Sequence, residues 1–181
     1  PGQANLAQRV STGWAELPVP VIAAIQGRCW GGGLQIVLGA DFRIGHPDAS
    51  LSIMEGKWGL IPDMGGTQAL RALLPRDQVL ELAMSTEPVD GRRALELGLV
   101  TEVADAPVDR ALELAAALKE RSPDALAAVK KLYYRSWREP AWLALARETW
   151  YQLRIVLGRN QRIAALRARG EPRDYVARGR W

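Results

Sequence analysis

The stretch Cys29–Ile44, CWGGGLQIVLGADFRI, breaks an ordinary rule of helix building at its centre. The triple glycine Gly31–Gly32–Gly33 leads into LQIVLGAD, whose apolar pattern predicts a short helix, although glycine in a helix costs about 1 kcal/mol relative to alanine. Ahead of it, PVPVIAAIQG predicts a buried strand. Behind it, FRIGHP predicts a second strand and SLSI a third, closed off by Glu55 and Gly56. Glycines between a buried strand and a helix permit close approach, and the first helical turn offers unpaired N–H groups with a favourable dipole. That combination attracts negative charge, either a phosphate or an oxyanion that develops during a reaction. GRCWGGGLQ has neither the Gly-Lys-Ser/Thr ending of a Walker loop nor the spacing of a Gly-x-Gly-x-x-Gly fingerprint. Tight packing of helix on strand is the alternative that needs no ligand.

Working outward, Leu6, Val10, Trp14 and Leu17 recur at helical spacing and predict an amphipathic helix upstream. Downstream, MGGTQALRALLP predicts a helix that starts at paired glycines; RDQVLELAMS and DGRRALELG predict two more around a turn at Pro88, and LVTEV a last strand. From Asp109 onward the pattern is helical, with Ser-Pro and Glu-Pro marking two helix starts. The chain therefore reads as a mixed α/β part, residues 1–106, followed by a helical region, residues 107–181. Its 181 residues, 48% of them hydrophobic, suffice for a buried core. No window reaches the roughly 18 apolar residues of a membrane span, and the start, PGQANLAQRVST, lacks the layout of a signal peptide. The single cysteine, Cys29, cannot form an internal disulfide, and the expected compartment is the cytoplasm. Of the seven tryptophans, Trp14, Trp137, Trp142 and Trp150 fall in or near helices, where core or interface packing is expected.

The net charge of +4 is uneven: Arg154, Arg159, Arg162, Arg167, Arg169, Arg173, Arg178 and Arg180 face only Glu171 and Asp174 in the last 28 residues. The tail lacks the interleaved aromatics and glycines of an RNA-binding strand and any zinc-ligand spacing, so neither nucleic acid nor a metal is expected. A phosphorylated small molecule, an acidic neighbouring subunit or plain solvation remain open.

SIMEGKWGLIPDMGGTQALRALLP places Glu55 just after a strand and Asp63 eight residues on, among Ile, Met, Trp and Leu. Carboxyls in apolar surroundings are suited to proton exchange near neutral pH. The structural alternatives are an acid at a helix N-terminus for Asp63, and a turn residue paired with Lys57 or Arg43 for Glu55.

Three ordered stretches, PVIAAIQGRCWGGGLQIVLGADFRI, LSIMEGKWGLIPDMGGTQAL and ALELGLVTEV, resemble the crotonase, or enoyl-CoA hydratase/isomerase, superfamily over nearly the whole chain. The resemblance implies an α/β spiral of β-β-α repeats followed by helices that build homotrimers, often paired into hexamers. It implies acyl-CoA thioester substrates and no cofactor beyond the coenzyme A of the substrate. By position, Gly32 looks like the donor of an oxyanion-binding N–H, with Gly31 beside it. Glu55 falls on the second hydratase glutamate, which is also the proton-shuttling glutamate of 3-enoyl to 2-enoyl isomerases. Asp63 falls where dienoyl-CoA isomerases carry an aspartate. Arg28, Arg167 and Arg169 are candidates to meet CoA phosphates; Trp30, Trp58 and Met64 could line the acyl pocket or belong to the core.

Two departures stand out. Gln35 occupies the place of the first hydratase glutamate, and an amide has no titratable proton in this range. The family's N-terminal third, with the other oxyanion donor, has no counterpart in this sequence. The expected activity is double-bond isomerisation of an enoyl- or dienoyl-CoA through an oxyanion-stabilised enolate; the alternatives are hydration of a 2-enoyl-CoA, or acyl-CoA binding with weak turnover.

Overall fold

The computed structural model describes residues 4–179, so Pro1–Gln3 of the sequence start and Arg180 of the arginine tail lie outside the described residues. The chain forms two compact units: Val21–Glu113 with the residues up to Glu16, and Leu114 onward with Leu17–Pro20.

In the first unit, strand β1 (Ile22–Ile25) turns at Gly27 into β2 (Arg28–Trp30), and helix α2 (Gly32–Leu38) follows. The next pass repeats the plan with β3 (Phe42–Gly45), β4 (Ser50–Ser52), a 3-10 turn (Glu55–Trp58) and α3 (Gly66–Leu73). β3 pairs with β1 in parallel, Ile22 opposite Phe42, and β4 pairs with β2 in parallel, Arg28 opposite Ser50. Each pass thus adds one strand to each of two sheets and stacks on the pass before it. The corners stack as well: His46 N–H donates to Ile25 O at 2.8 Å and Ser50 N–H to Gly27 O at 2.8 Å. The third pass brings α4 (Arg76–Ser85), β5 (Val89–Asp90) antiparallel to β4, α5 (Gly91–Leu97), and β6 (Glu102–Val103) parallel to β3. This is the expected β-β-α spiral. Ahead of it, α1 (Leu6–Thr12) is closed by a capping box between Asn5 and Gln8.

The core joins Ile25, Leu34, Leu38, Leu51, Leu70, Leu82, Leu99 and Val100. Buried Arg43 donates from Nε to Leu99 O at 2.8 Å and from Nη1 to Ala40 O at 2.6 Å, satisfying carbonyls between passes. Cys29 faces the same core, and burial pushes its thiol up to about 11, which keeps it protonated at neutral pH.

Three elements escape the sequence patterns. β2 is three residues long, too short to show a period of two, and forms because β4 supplies a parallel partner. β5 exists only through its pairing with β4, where a turn and a helix are the local expectation. The turn at Glu55–Trp58 is helical because its residues sit on the C-terminal end of α4: a Cβ on Gly56 would lie 2.9 Å from Ala83 O.

The second unit holds α7 (Pro123–Ser136), α8 (Ala141–Val156) and α9 (Arg159–Ala168), with α6 (Pro107–Lys119) running from the first unit into it. Ser122 caps α7 through its Oγ, which accepts from Ala125 N–H at 3.3 Å, with Pro123 at the first helical position. Arg147 grips Glu139 with two bonds, 2.5 and 2.7 Å, which hold the Glu139 carboxyl below the usual carboxylate range. Trp137, Trp142 and Trp150 are all more than half exposed, so the core role is absent for them within this chain. No helix among the described residues is long and apolar enough to cross a membrane.

After α9 the chain runs without helix or strand, yet it is held. Asn160, buried, donates from Nδ2 to Asp124 Oδ2 at 2.8 Å and to Val176 O at 3.1 Å, and accepts from Val176 N–H at 2.9 Å. Asp124 in turn accepts from Gly179 N–H at 2.7 Å. Asn160→Ala is expected to cost about 2–3 kcal/mol, because it leaves buried polar groups without partners. Urea unfolding gives the cost, and faster tryptic cleavage at Arg173 and Arg178 reports release of the segment.

Candidate active site

The site forms where the second and first passes of the spiral meet. Gly31 N–H donates to Ser52 O at 2.9 Å, which joins the end of β2 to the end of β4. Gly31 then takes φ +53°, a conformation that disfavours any side chain, and swings the chain into α2 without a side-chain cap. The helical ladder begins with Gln35 N–H on Gly31 O at 3.0 Å, so the N–H groups of Gly32 and Gly33 precede it. A Cβ on Gly32 would lie 2.8 Å from Met64 Sδ, a space only glycine leaves to the thioether. An uncapped helix N-terminus lined by glycines is suited to hold developing negative charge on a carbonyl oxygen.

Glu55 opens the 3-10 turn and reaches back to this point. Its Oε1 would lie 3.5 Å from a Cβ on Gly31 and accepts from Gln35 Nε2 at 2.5 Å. Its Oε2 is shielded from solvent and has no hydrogen-bond partner, the one such carboxyl oxygen among the described residues. Arg43, a structural alternative for pairing with Glu55, is spent on Leu99 and Ala40. Gln35, only 1% exposed, also receives Met64 N–H at 2.9 Å and Gly66 N–H at 3.1 Å on its Oε1.

The structure thus brings Gly31, Gly32, Gln35 and Glu55 together. Asp63 lies exposed beside Met64, not in the desolvated setting expected for it. Trp58 is 70% exposed. Arg28 and Trp30 share one face of β2: the guanidinium stacks 4.9 Å over the indole, whose N–H donates to Ser50 Oγ at 3.0 Å. In the second unit Arg167 pairs with Glu120, donates to Arg173 O at 3.0 Å and lies 5.0 Å over Tyr175, while Arg169 is exposed at the end of α9. The amide hydrogens of Met64 and Gly66 that hold Gln35 were not read from the sequence; the paired glycines at 65–66, placed directly at a helix start, are their only local sign.

A family model described as enoyl-CoA hydratase/isomerase matches residues 3–153. Carnitinyl-CoA dehydratase of Citrobacter koseri and a probable enoyl-CoA hydratase of Bacillus subtilis are each 41% identical over 120 residues, 65% of this chain and 46% of theirs. The chain therefore spans about half the length of the curated relatives it matches. The enoyl-CoA hydratase of Polaromonas sp. JS666 superposes with a TM-score of 0.85 at 31% identity, covering 91% of this chain and 65% of that one. A putative enoyl-CoA hydratase of Thermobifida fusca in complex with CoA gives 0.71 at 34%, covering 75% and 53%. With the spiral, the glycine-lined helix start and this match over most of its residues, the chain belongs to the enoyl-CoA hydratase/isomerase family.

Proposed function

We propose that the chain isomerises the double bond of an enoyl- or dienoyl-CoA. The observation that carries the reading is the pairing of Gln35 and Glu55: the Gln35 amide oxygen is occupied by two backbone N–H groups, and one Glu55 oxygen is buried without a partner. A single shielded carboxyl suits a proton shift, whereas water addition needs a second group to activate the water. In this scheme Glu55 Oε2 removes a proton from the α-carbon of a 3-enoyl thioester. The electron pair moves onto the thioester oxygen, where the Gly32 N–H receives it. Collapse of the dienolate returns the proton from Oε2 to the γ-carbon. On a 3,5-dienoyl ester Asp63 would serve as a second acid or base. The exposed guanidiniums of Arg28 and Arg169 are the candidates for CoA phosphates, with Trp30, Gly31 and Trp58 as further contacts and Arg167 acting through its present ion pair. The chemistry calls for no cofactor beyond coenzyme A, and the homotrimer or hexamer belongs to the same proposal, supported by the exposed apolar side chains of α8, Trp142, Leu145 and Leu153 among them.

Hydration is the second reading, favoured by relatives that bear the names carnitinyl-CoA dehydratase and probable enoyl-CoA hydratase. Crotonyl-CoA, a 3-enoyl-CoA and a 3,5-dienoyl-CoA in deuterated, oxygen-18 water separate the two. Deuterium without oxygen-18 is the expected result. Oxygen-18 in a 3-hydroxyacyl product would replace isomerisation by hydration, and CoA-ester binding with neither label would leave a binding protein.

A further inference from the structure

The Gln35 amide is locked. Its oxygen faces two backbone donors, Met64 N–H and Gly66 N–H, at 2.9 and 3.1 Å. Turning the amide over would set NH2 against those two donors and an oxygen against the Glu55 carboxyl, losing all three bonds at once. The space is shaped for this orientation: a Cβ on Gly66 would stand 2.9 Å from Gln35 Cγ and 3.0 Å from its Oε1. Gln35 Nε2 therefore points at Glu55 Oε1 whatever the protonation state of the carboxyl. Oε1 is a committed acceptor, and the oxygen left to carry a proton is Oε2, which has no partner in the protein.

We infer that Gln35 is a positioning residue for Glu55. It fixes the rotation of the carboxyl and divides its two oxygens by role, Oε1 held and Oε2 exchanging protons with the acyl group. The inference rests on the reading of Glu55 as proton carrier given above. A glutamine does this in a way a glutamate could not, because its N–H donor does not titrate. The charged side chains on the elements packed around the pair are Arg9 on α1, Arg28 on β2, Lys57 on the 3-10 turn, Asp63, Arg71 on α3, and Arg76, Asp77 and Glu81 on α4, and every one of them is exposed. Solvent screens them from the partly buried pair.

Two variants of the full chain test this, with deuterium incorporation into 3-hexenoyl-CoA as the readout. Gln35→Met fills the volume but removes donor and acceptor. Its kcat should fall at least tenfold while KM stays within about threefold, because substrate contacts are untouched. Gln35→Glu keeps an oxygen for Met64 N–H and Gly66 N–H, so it guards against loss of the fold. Its facing oxygen can donate to Glu55 only while the pair holds a shared proton, and without that proton two carboxylates repel across a hydrogen-bond distance. The ratio of its rate to the wild-type rate should therefore fall at least tenfold from pH 6 to pH 9. A ratio near one across that range would overturn the positioning role, as would a Gln35→Met enzyme with unchanged kcat. Glu55→Gln run alongside separates the two levels of the argument: if it retains exchange, Glu55 is not the proton carrier and the proposed function fails with it, independently of Gln35. Wild-type protein without exchange overturns both.

Discussion

Glu55→Gln is expected to slow deuterium incorporation into an enoyl-CoA by about a hundred- to ten-thousand-fold, the span that positioned proton transfer contributes. The substitution is close to isosteric. Its amide oxygen can take the place of Oε1 and accept from Gln35 Nε2, so the link between α2 and the 3-10 turn persists. The NH2 then occupies the position of Oε2, the atom without a partner, and no titrating group remains there. CoA-ester affinity, measured by calorimetry, should stay within a few-fold. Stability in urea should hold or rise slightly, since a neutral amide is easier to bury than a carboxyl with one unsatisfied oxygen. A loss of rate accompanied by an equal loss of binding would instead point to a role in seating the ester.

The second large effect concerns the scaffold. Gly91→Ala is expected to destabilise the first unit by about 3 kcal/mol or more, a severe case of overpacking. Gly91 begins α5 and lies on the corner of the preceding pass, its N–H donating to Pro47 O at 2.9 Å. A Cβ there would stand 2.0 Å from His46 O and 3.0 Å from Pro47 O. Both obstacles are backbone, so no side chain can turn aside; the corner itself must open, and β5, the neighbouring strand, loses its seat on β4. Gly33→Ala is the matched control. Nothing lies within 4 Å of the added methyl, and the position is helical, so its unfolding midpoint should be unchanged or slightly higher. Urea denaturation of the two variants beside wild type makes the comparison.

Legibility in the sequence followed the range of the interactions involved. Helices announced themselves through local chemistry: the glycines before Leu34, Ser122-Pro123 ahead of α7, and the stop at Pro75 all act within a few residues of their effect. β5 could not be read because its partner strand lies far back in the sequence, and two residues carry no period of their own. The same holds for the site. Gly32 and Glu55 were singled out through the family resemblance, Glu55 also through its place just after a strand among apolar residues. The state of Gln35 was not, because its partners stand 20, 29 and 31 residues away and two of them are backbone amides, which any sequence supplies. Asp63 misled for the opposite reason: apolar neighbours in sequence suggested burial, but Trp58, Leu60 and Ile61 around it are themselves exposed, so they do not shield it.

The parallel pairing of β2 with β4 has a bearing on how the protein can be assayed. The glycine turn leaves one pass of the spiral and Glu55 arrives from the next, so the two halves of the candidate site meet through strand register, Trp30 opposite Ser52, and through the Gln35–Glu55 hydrogen bond. Sliding β4 by a single residue would carry Glu55 about 3.3 Å along the sheet and turn the strand's side chains to the other face. Secondary-structure content would hardly change. Under the proposed function, the rate of proton exchange is a vernier for the stacking of the spiral, able to register a misthreaded but well-folded molecule that circular dichroism would pass as native.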